Sequence, residues 1–440
     1  MDRAGALVER YFPSPAGELS IGGVSVSEIA DKYGTPLYIY DRAVIEKKWD
    51  LLRSALPSEF SICYSVKANP NRTILQSFLA KGAGLEIASG GEFSQALDAG
   101  CQPTQIIFAG PGKTKAELEL VLGNGIGEIH VESKREAECI AEISRHSGAR
   151  ARVALRVNPG GDAEGGAMRM GGRPAPFGVD EESLDGVLDY LWSFPELDFR
   201  GIHLFAGTQI LDFEILVNQY RKGLDIARRV AARLKRPLNT VDFGGGLGIP
   251  YFPHENDLDT LKLREALSGL MAQVSHDPLL SGTRYIVEPG RYLVGEAGIY
   301  VSRAIDVKVS RGKKFLILDG GMNHHLAASG NLGQTIKRNY PLAVLNRLDQ
   351  PPVELVDVVG PLCTPLDTLG RGVNLPCVEI GDLIGIFQSG AYGRSASPLG
   401  FLSHPAPPEV WVEDGVHRLI RRRGHVGDYL EDQPASPGPT

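Results

Sequence analysis

Lys67 closes an apolar run, Ser61-Ile62-Cys63-Tyr64-Ser65-Val66-Lys67, and is followed by Ala68-Asn69-Pro70. Burial and nearby cations disfavour an ammonium, so a lysine at such a strand end can present a neutral amine, the form that condenses with a carbonyl to a Schiff base. A second run, Asp242-Phe243-Gly244-Gly245-Gly246-Leu247-Gly248, follows the apolar pair Thr240-Val241. Its adjacent glycines allow backbone N–H groups to approach an anion closely. It is not a dinucleotide fingerprint, because Ile249 stands where a GxGxxG pattern from Gly244 requires its last glycine. The third run is Val287-Glu288-Pro289-Gly290-Arg291-Tyr292. A carboxylate such as Glu288 beside a heterocyclic nitrogen keeps that nitrogen protonated, and a protonated ring is an electron sink for a carbanion. Arg291 has the planar fork that fits a carboxylate or phosphate. Taken singly, these are a lysine snorkelling to solvent, a glycine turn and a surface ion pair. Their joint placement at strand ends favours a shared site.

The elements that must position them read as alternating strands and helices. Candidate strands are 62–67, 85–89, 106–110, 128–132, 153–158, 201–207, 240–246 and 285–290, separated by amphipathic stretches such as 113–122 and 135–145. Eight such strands fit one closed (β/α)8 TIM-like barrel, whose active site lies at the C-terminal strand ends. Arg156 and Asn158, the 203–208 run, and the Gly244 and Glu288 runs all fall there. From about residue 297 strand-like runs follow one another without long helices: 299–309, 315–318, 353–359, 382–387 and 409–412. This predicts a C-terminal, mainly antiparallel β domain. The expected organisation is an N-terminal segment (1–35) joining the β domain, a barrel (36–295), the β domain (296–430) and a disordered Pro/Ser/Gly-rich tail (431–440).

Bulk properties narrow the field. The 440 residues are 42% hydrophobic and 22% charged, with a net charge of −7, which gives no reason to expect nucleic-acid binding. No apolar run is long enough for a membrane span, and the N-terminus lacks a basic-then-apolar leader, so a cytoplasmic location is the default. The five cysteines are scattered, without a CxxC pair. His324-His325 has no accompanying ligand pattern, so neither a disulfide framework nor a metal site is expected.

The whole pattern resembles the fold-type III pyridoxal-phosphate decarboxylases, the diaminopimelate, ornithine and arginine decarboxylases, over about 35–405. The resemblance rests on Tyr64-Ser65-Val66-Lys67-Ala68-Asn69, Ala88-Ser89-Gly90-Gly91-Glu92, Leu155-Arg156-Val157-Asn158-Pro159, Gly244-Gly245-Gly246, Glu288-Pro289-Gly290-Arg291, Gly360-Pro361-Leu362-Cys363 and Gly390-Ala391-Tyr392-Gly393. It implies that pyridoxal 5'-phosphate is bound covalently by Lys67, with Glu288 at the pyridine nitrogen. It gives the phosphate to Gly244, Gly245, Gly246, Thr208 and Tyr392, and places Arg156 near the 3-hydroxyl side of the ring. Cys363 resembles the residue that enters the neighbouring subunit's site and protonates the carbanion, with Asp367 completing a CxxxD spacing. The implied assembly is a homodimer with shared active sites.

Two positions depart from that pattern. Phe205, in Phe205-Ala206-Gly207-Thr208, stands where the family carries a histidine over the ring. An aromatic face still packs there but cannot titrate. His203 lies two residues earlier on the same strand face, with a structural role its plainest reading. After Cys363 the chain has Thr364-Pro365-Leu366-Asp367 instead of the Glu-Ser of diaminopimelate decarboxylases, which weakens the case for a free diamino acid substrate. Arg291, Thr364, Asp367 and Tyr392 are the expected substrate contacts. Both departures resemble the carrier-protein-linked amino acid decarboxylases, such as the butirosin-pathway L-glutamyl-[acyl-carrier protein] decarboxylase, along with Met168-Arg169-Met170-Gly171-Gly172, Phe177-Gly178, Thr208-Gln209, the 320–325 and 338–341 runs, and Cys363-Thr364-Pro365. The expectation is removal of the α-carboxylate from an acidic amino acid tethered through its side chain to an acyl carrier protein. Lys337-Arg338 and the 311–314 run are candidates to meet an acidic carrier. The alternatives are a decarboxylase of free diaminopimelate, ornithine, lysine or arginine, an amino acid racemase, and a non-catalytic pyridoxal-binding regulator. Glu288 favours decarboxylation over racemisation, which usually sets an arginine at the pyridine nitrogen.

Overall fold

A computed structural model describes residues 2–14, 17–160, 168–169, 174–205, 207–332, 334 and 337–434. The chain forms two compact units, one of residues 48–250 and 256–292, the other of 1–47, 251–255 and 293–440.

The first unit is the barrel. Its strands are β1 (Phe60–Ser65), β2 (Gly84–Ile87), β3 (Ile106–Phe108), β4 (Glu128–Val131), β5 (Ala151–Asn158), β6 (Leu197–Leu204), β7 (Thr240–Asp242) and β8 (Arg284–Val287). Each pairs in parallel with the next. The ring closes where Tyr285 and Val287 of β8 register with Phe60 and Ile62 of β1. The short strand Val179–Asp180 pairs in parallel with the last two residues of β5. These strands read as continuous apolar runs because both faces are covered, one by the barrel interior and the other by the helices. Ile62, Leu85, Ile106, Val153 and Ile202 are all buried. The helices between strands begin at side-chain caps: Ser89, Ser133, Asp212 and Asp259 each accept a first-turn backbone N–H, and Thr114 with Glu117 forms a reciprocal capping box.

The second unit is the β domain. Its main sheet runs in the order 368–375, 354–359, 313–318, 298–310, 37–41, 409–413 and 416–421. The strand Gly298–Ser310 is its spine, and it also pairs with Leu383–Ile386. Most pairings are antiparallel, as expected, but 313–318 with 354–359 and 37–41 with 409–413 are parallel, so the sheet is mixed. The expected barrel start at 36 moves to about 48, because Leu37–Asp41 is a strand of this sheet, buried on both faces between Gly298–Ser310 and Glu409–Glu413. The N-terminal segment contributes a helix, Arg3–Tyr11, and a small hairpin at 20–25 rather than a strand of the main sheet. Of the expected disordered tail, 435–440 lie outside the described residues, and 431–434 form a turn and the residue after it. Among the described residues no helix is long and apolar enough to cross a membrane.

His324 and His325 belong to the core of this unit. The Tyr38 hydroxyl donates to the His324 carbonyl at 2.7 Å. The His325 ring accepts the Ala328 N–H at Nδ1 (3.3 Å), which leaves Nε2 to carry the proton toward Ser389 Oγ at 2.8 Å. Burial lowers the His325 pKa to about 3. In the unfolded chain the ring protonates near its ordinary value, about 6.5. Below that pH the unfolded state binds a proton that the folded state refuses. Stability from this group is therefore full above about pH 6.5 and falls by roughly 1.4 kcal/mol per pH unit as pH drops toward 3. Denaturant titrations between pH 7 and 4 should show a shallower loss in His325→Gln than in the parent. Parallel pH profiles would contradict this assignment.

Candidate active site

β1 ends at Ser65, and Lys67 follows on the single turn Val66–Ala68. The Lys67 side chain is 46% exposed, so its amine is reachable from solvent, and Nζ lies 3.0 Å from Glu86 Oε2. Glu86 sits on β2, is buried, and accepts the Ser65 hydroxyl at 2.5 Å. The amine is thus held in place by a carboxylate that β2 and Ser65 fix.

Glu288 follows β8 and is buried. Its backbone N–H donates to Gly244 O at 2.8 Å, and a methyl group on Gly245 would stand 2.6 Å from the Glu288 carbonyl oxygen. Gly246 has φ +100°, a region that L side chains rarely adopt. The glycine turn after β7 is therefore seated directly on the Glu288 backbone, a fit that side chains would prevent. The N–H groups of Gly245 and Gly246 have no acceptor among the described residues. The two residues after Thr208 join the same corner: Ile210 N donates to Gly246 O (2.8 Å), Gly248 N donates to Ile210 O (2.9 Å), and the Gln209 amide donates to Ile249 O. Phe205, just beyond β6, packs against the turn, with its ring edge 2.9 Å from where a Gly244 methyl would stand.

Arg156, on β5, is buried and donates to Glu132 Oε1 at 2.8 Å, with its guanidinium 4.9 Å from the centre of the Phe177 ring. Burial works to raise the Glu132 pKa, but Arg156, Lys113 and the Gly178 N–H outweigh it and hold it below the ordinary value. Arg291 opens a short helix directly after the Glu288 run.

The barrel interior carries a polar cluster that the sequence reading did not find. Glu128 and His130 share one face of β4, and Thr240 and Asp242 share one face of β7. His130 Nε2 lies 3.3 Å from Glu128 Oε1 and 3.9 Å from Asp242 Oδ2. The Thr240 hydroxyl donates to Glu128 at 2.9 Å. The His130 ring lies against that of His203, with centroids 4.3 Å apart, and His203 Nε2 is 3.5 Å from Glu288 Oε2. Burial, then the neighbouring Glu288, raises the Asp242 pKa well above its ordinary value. Burial and the adjacent His130 lower the His203 pKa well below its ordinary value, so that ring is neutral. His130, His203 and Glu288 each bring a ligand-type atom within 4.8 Å of the others, a spacing that the expectation of no metal did not foresee. Strand periodicity alone could have signalled this cluster, since Glu128, His130, His203 and Asp242 are polar positions inside otherwise apolar strands.

The remaining expected site residues, Cys363, Thr364, Asp367 and Tyr392, lie in the β domain unit. Cys363 is exposed at the tip of the loop between strands 354–359 and 368–375. Asp367, expected to meet substrate, is buried, and its two oxygens accept the Met322 and Leu362 N–H groups at 2.7 and 2.8 Å. Its carboxylate shapes the Cys363 loop instead. Tyr392 has φ +54° in the turn after strand 383–386. The 161–167 and 170–173 stretches, with most of the Met168-to-Gly172 resemblance, and Ala206 lie outside the described residues.

These parts fit pyridoxal phosphate. Glu288 is buried with no lysine or arginine paired to it among the described residues, which suits a protonated ring nitrogen, and the open Gly245 and Gly246 N–H groups suit a phosphate. A closed (β/α)8 barrel with a solvent-reachable lysine at a strand end and such a glycine corner fits a barrel-type pyridoxal enzyme. Residues 42–295 match the family described as "Pyridoxal-dependent decarboxylase, pyridoxal binding domain", and the chain belongs to that family. It is 38% identical to an L-glutamyl-[BtrI acyl-carrier protein] decarboxylase of Niallia circulans, over 94% of this chain and 97% of that protein. It is 34% identical to a diaminopimelate decarboxylase of Aquifex aeolicus, over 96% of each. A crystal structure of diaminopimelate decarboxylase from M. jannaschii superimposes with a TM-score of 0.89 at 27% identity, covering 98% of this chain and 99% of that one. The protein is a pyridoxal-phosphate-dependent amino acid decarboxylase.

Gly245→Ala would force the glycine turn off Glu288. Pyridoxal-phosphate titration of that variant should give an affinity at least about tenfold weaker than the parent's, which corresponds to about 1.4 kcal/mol. Unchanged affinity would show that the turn does not seat the cofactor.

Proposed function

We propose that this enzyme removes the α-carboxylate from an acidic amino acid whose side-chain carboxyl is tethered to an acyl carrier protein. The observation that carries the reading is the Cys363 loop. Position 364 is threonine where diaminopimelate decarboxylases carry a glutamate, and the carboxylate of Asp367 is spent on two backbone N–H groups. The loop tip, with Leu366 half exposed, offers no anion to a distal ammonium. A site built to bind an ammonium loses far more without its partner than one built for a neutral thioester. The 38% identity to a carrier-protein-linked glutamyl decarboxylase, over nearly the full length of both chains, points the same way.

In this reading Lys67 is the attachment point of the cofactor, and Glu86 with Ser65 sets its amine at the strand end. Glu288 faces the ring nitrogen, with Asp242 and His203 behind it. Gly244, Gly245, Gly246, Thr208 and Tyr392 hold the phosphate, Arg156 sits at the 3-hydroxyl side, and Phe205 packs on the ring. When bound, pyridoxal phosphate supplies the electron sink that accepts the pair left when carbon dioxide departs. Arg291 and Thr364 contact substrate. The enzyme works as a homodimer, in which Cys363 of the partner subunit delivers a proton to the substrate α-carbon.

The test is a mass-spectrometric screen for loss of carbon dioxide from free diaminopimelate, lysine, ornithine, glutamate and aspartate, and from glutamate and aspartate bound to a carrier protein as thioesters. Turnover of a carrier-bound acidic amino acid, with little on the free diamino acids, is expected. Efficient turnover of a free diamino acid with none on the thioesters would overturn the reading.

A further inference from the structure

The β domain holds a small cleft of about 170 Å³, lined by Ser329, Lys337, Arg338, Asn339, Thr368 and Arg371 among others. It sits at the start of strand 368–375, directly after the Cys363–Asp367 loop. Three basic residues from two separate segments line it, and the segments are tied together. The Asn339 amide donates to Arg371 O at 2.7 Å, and Arg371 N donates to Asn339 Oδ1 at 2.9 Å. Lys337 donates to the amide oxygen of Asn331, whose amide nitrogen lies 3.3 Å from the carbonyl of Leu366 in the Cys363 loop. Arg338 lies over the Phe252 ring and beside His254 Nε2 at 3.2 Å. None of the three has a carboxylate partner among the described residues.

That lack is informative in a chain of net charge −7. In the other basic run considered for a carrier protein, both lysines are spent internally, since Lys313 pairs with Asp357 and Lys314 with Glu354, each at 2.6 Å. Exposed ion pairs contribute little, so their absence costs the fold little, but three uncompensated cations around a concavity create a field that an anion relieves. The cleft is well below the roughly 300 Å³ at which pockets enclose a drug-sized ligand, so it suits one anionic group and leaves the rest of its ligand outside.

We propose that this cleft binds the phosphodiester of a phosphopantetheine arm, with Lys337, Arg338 and Arg371 on the phosphate oxygens and Asn339 and Ser329 as neutral donors. The inference rests on the tethered-substrate reading. The phosphate anchors the arm beside the loop that carries Cys363 and Thr364, and the thioester end extends past that loop. Arginine at two of the three positions fits phosphate recognition by paired N–H groups.

The experiment compares the dimeric holoenzyme with a Lys337→Glu/Arg371→Glu variant on two substrates. One is the carrier-bound aminoacyl thioester; the other is the same aminoacyl group on N-acetylcysteamine, which has no phosphate. Retained absorbance of bound pyridoxal phosphate in the variant shows that it is folded. The expected result is a rise in KM for the carrier-bound substrate of at least about tenfold at little changed kcat, with the short thioester turned over equally by both proteins. Equal losses on both substrates, or no loss on either, would overturn the cleft assignment. Coenzyme A and inorganic phosphate serve as competitors that separate the sources of the anion. Inhibition of the parent by coenzyme A but not of the variant supports a pantetheine phosphate, whereas inhibition by phosphate alone marks a plain anion site and contradicts the proposal. If the parent turns over neither thioester, the tethered-substrate reading fails by itself, and coenzyme A binding to parent and variant still decides whether the cleft recognises the phosphate.

Discussion

Closure of the barrel between its first and last strands is the constraint on which the rest of the site depends. Lys67 and Glu288 come from opposite ends of the barrel sequence, and each stands just past the end of one of the two strands whose pairing completes the ring. Ser65 N donates to Pro289 O at 3.2 Å, so the chain beyond both strands is still tied where the two side chains leave it. A closed parallel ring has no free edge, and its register cannot slip at one seam without disturbing the others. The amine and the carboxylate are thus placed by backbone geometry before any side chain adjusts. The glycine turn extends the same logic, because it is bonded through Gly244 O to the Glu288 N–H.

The second requirement is electrostatic. Glu288 is a buried acid with no lysine or arginine paired to it among the described residues, and a cationic ring nitrogen would compensate its charged form. The barrel floor behind it is shaped for that task. Burial raises the Asp242 pKa and lowers that of His203, so it disfavours a charge on either next to Glu288, and His130, Glu128 and Thr240 complete a polar stack through the interior. A row of leucines would pack more favourably there. Polar groups at these depths are best explained by the site above them.

Much of this was legible in the sequence because it rests on local patterns. The eight barrel strands are short apolar runs between amphipathic helices, and their strand-end residues are of unusual types. What was not legible depends on contacts between distant segments. Leu37–Asp41 reads as one more buried strand, and nothing local tells whether it joins the barrel or, as it does, the mixed sheet beside Glu409–Glu413. Asp367 has the spacing of a substrate contact, but its fate is decided by Met322 and Leu362, whose N–H groups consume it. Glu86 looks like an ordinary strand residue until pairing of the first two strands sets it against Lys67. The same limit applied to the basic runs, where only the fold shows that Lys313 and Lys314 are neutralised and Lys337 is not.

The central claim is that the amine brought to the barrel seam by Lys67 is the one that holds pyridoxal phosphate. Borohydride reduction of the loaded enzyme, followed by proteolysis and peptide mass spectrometry, tests it directly. A pyridoxyl label is expected on Lys67 in the parent, with no reducible label in Lys67→Ala. A label on any other lysine of the parent, or one that survives in Lys67→Ala, would contradict it.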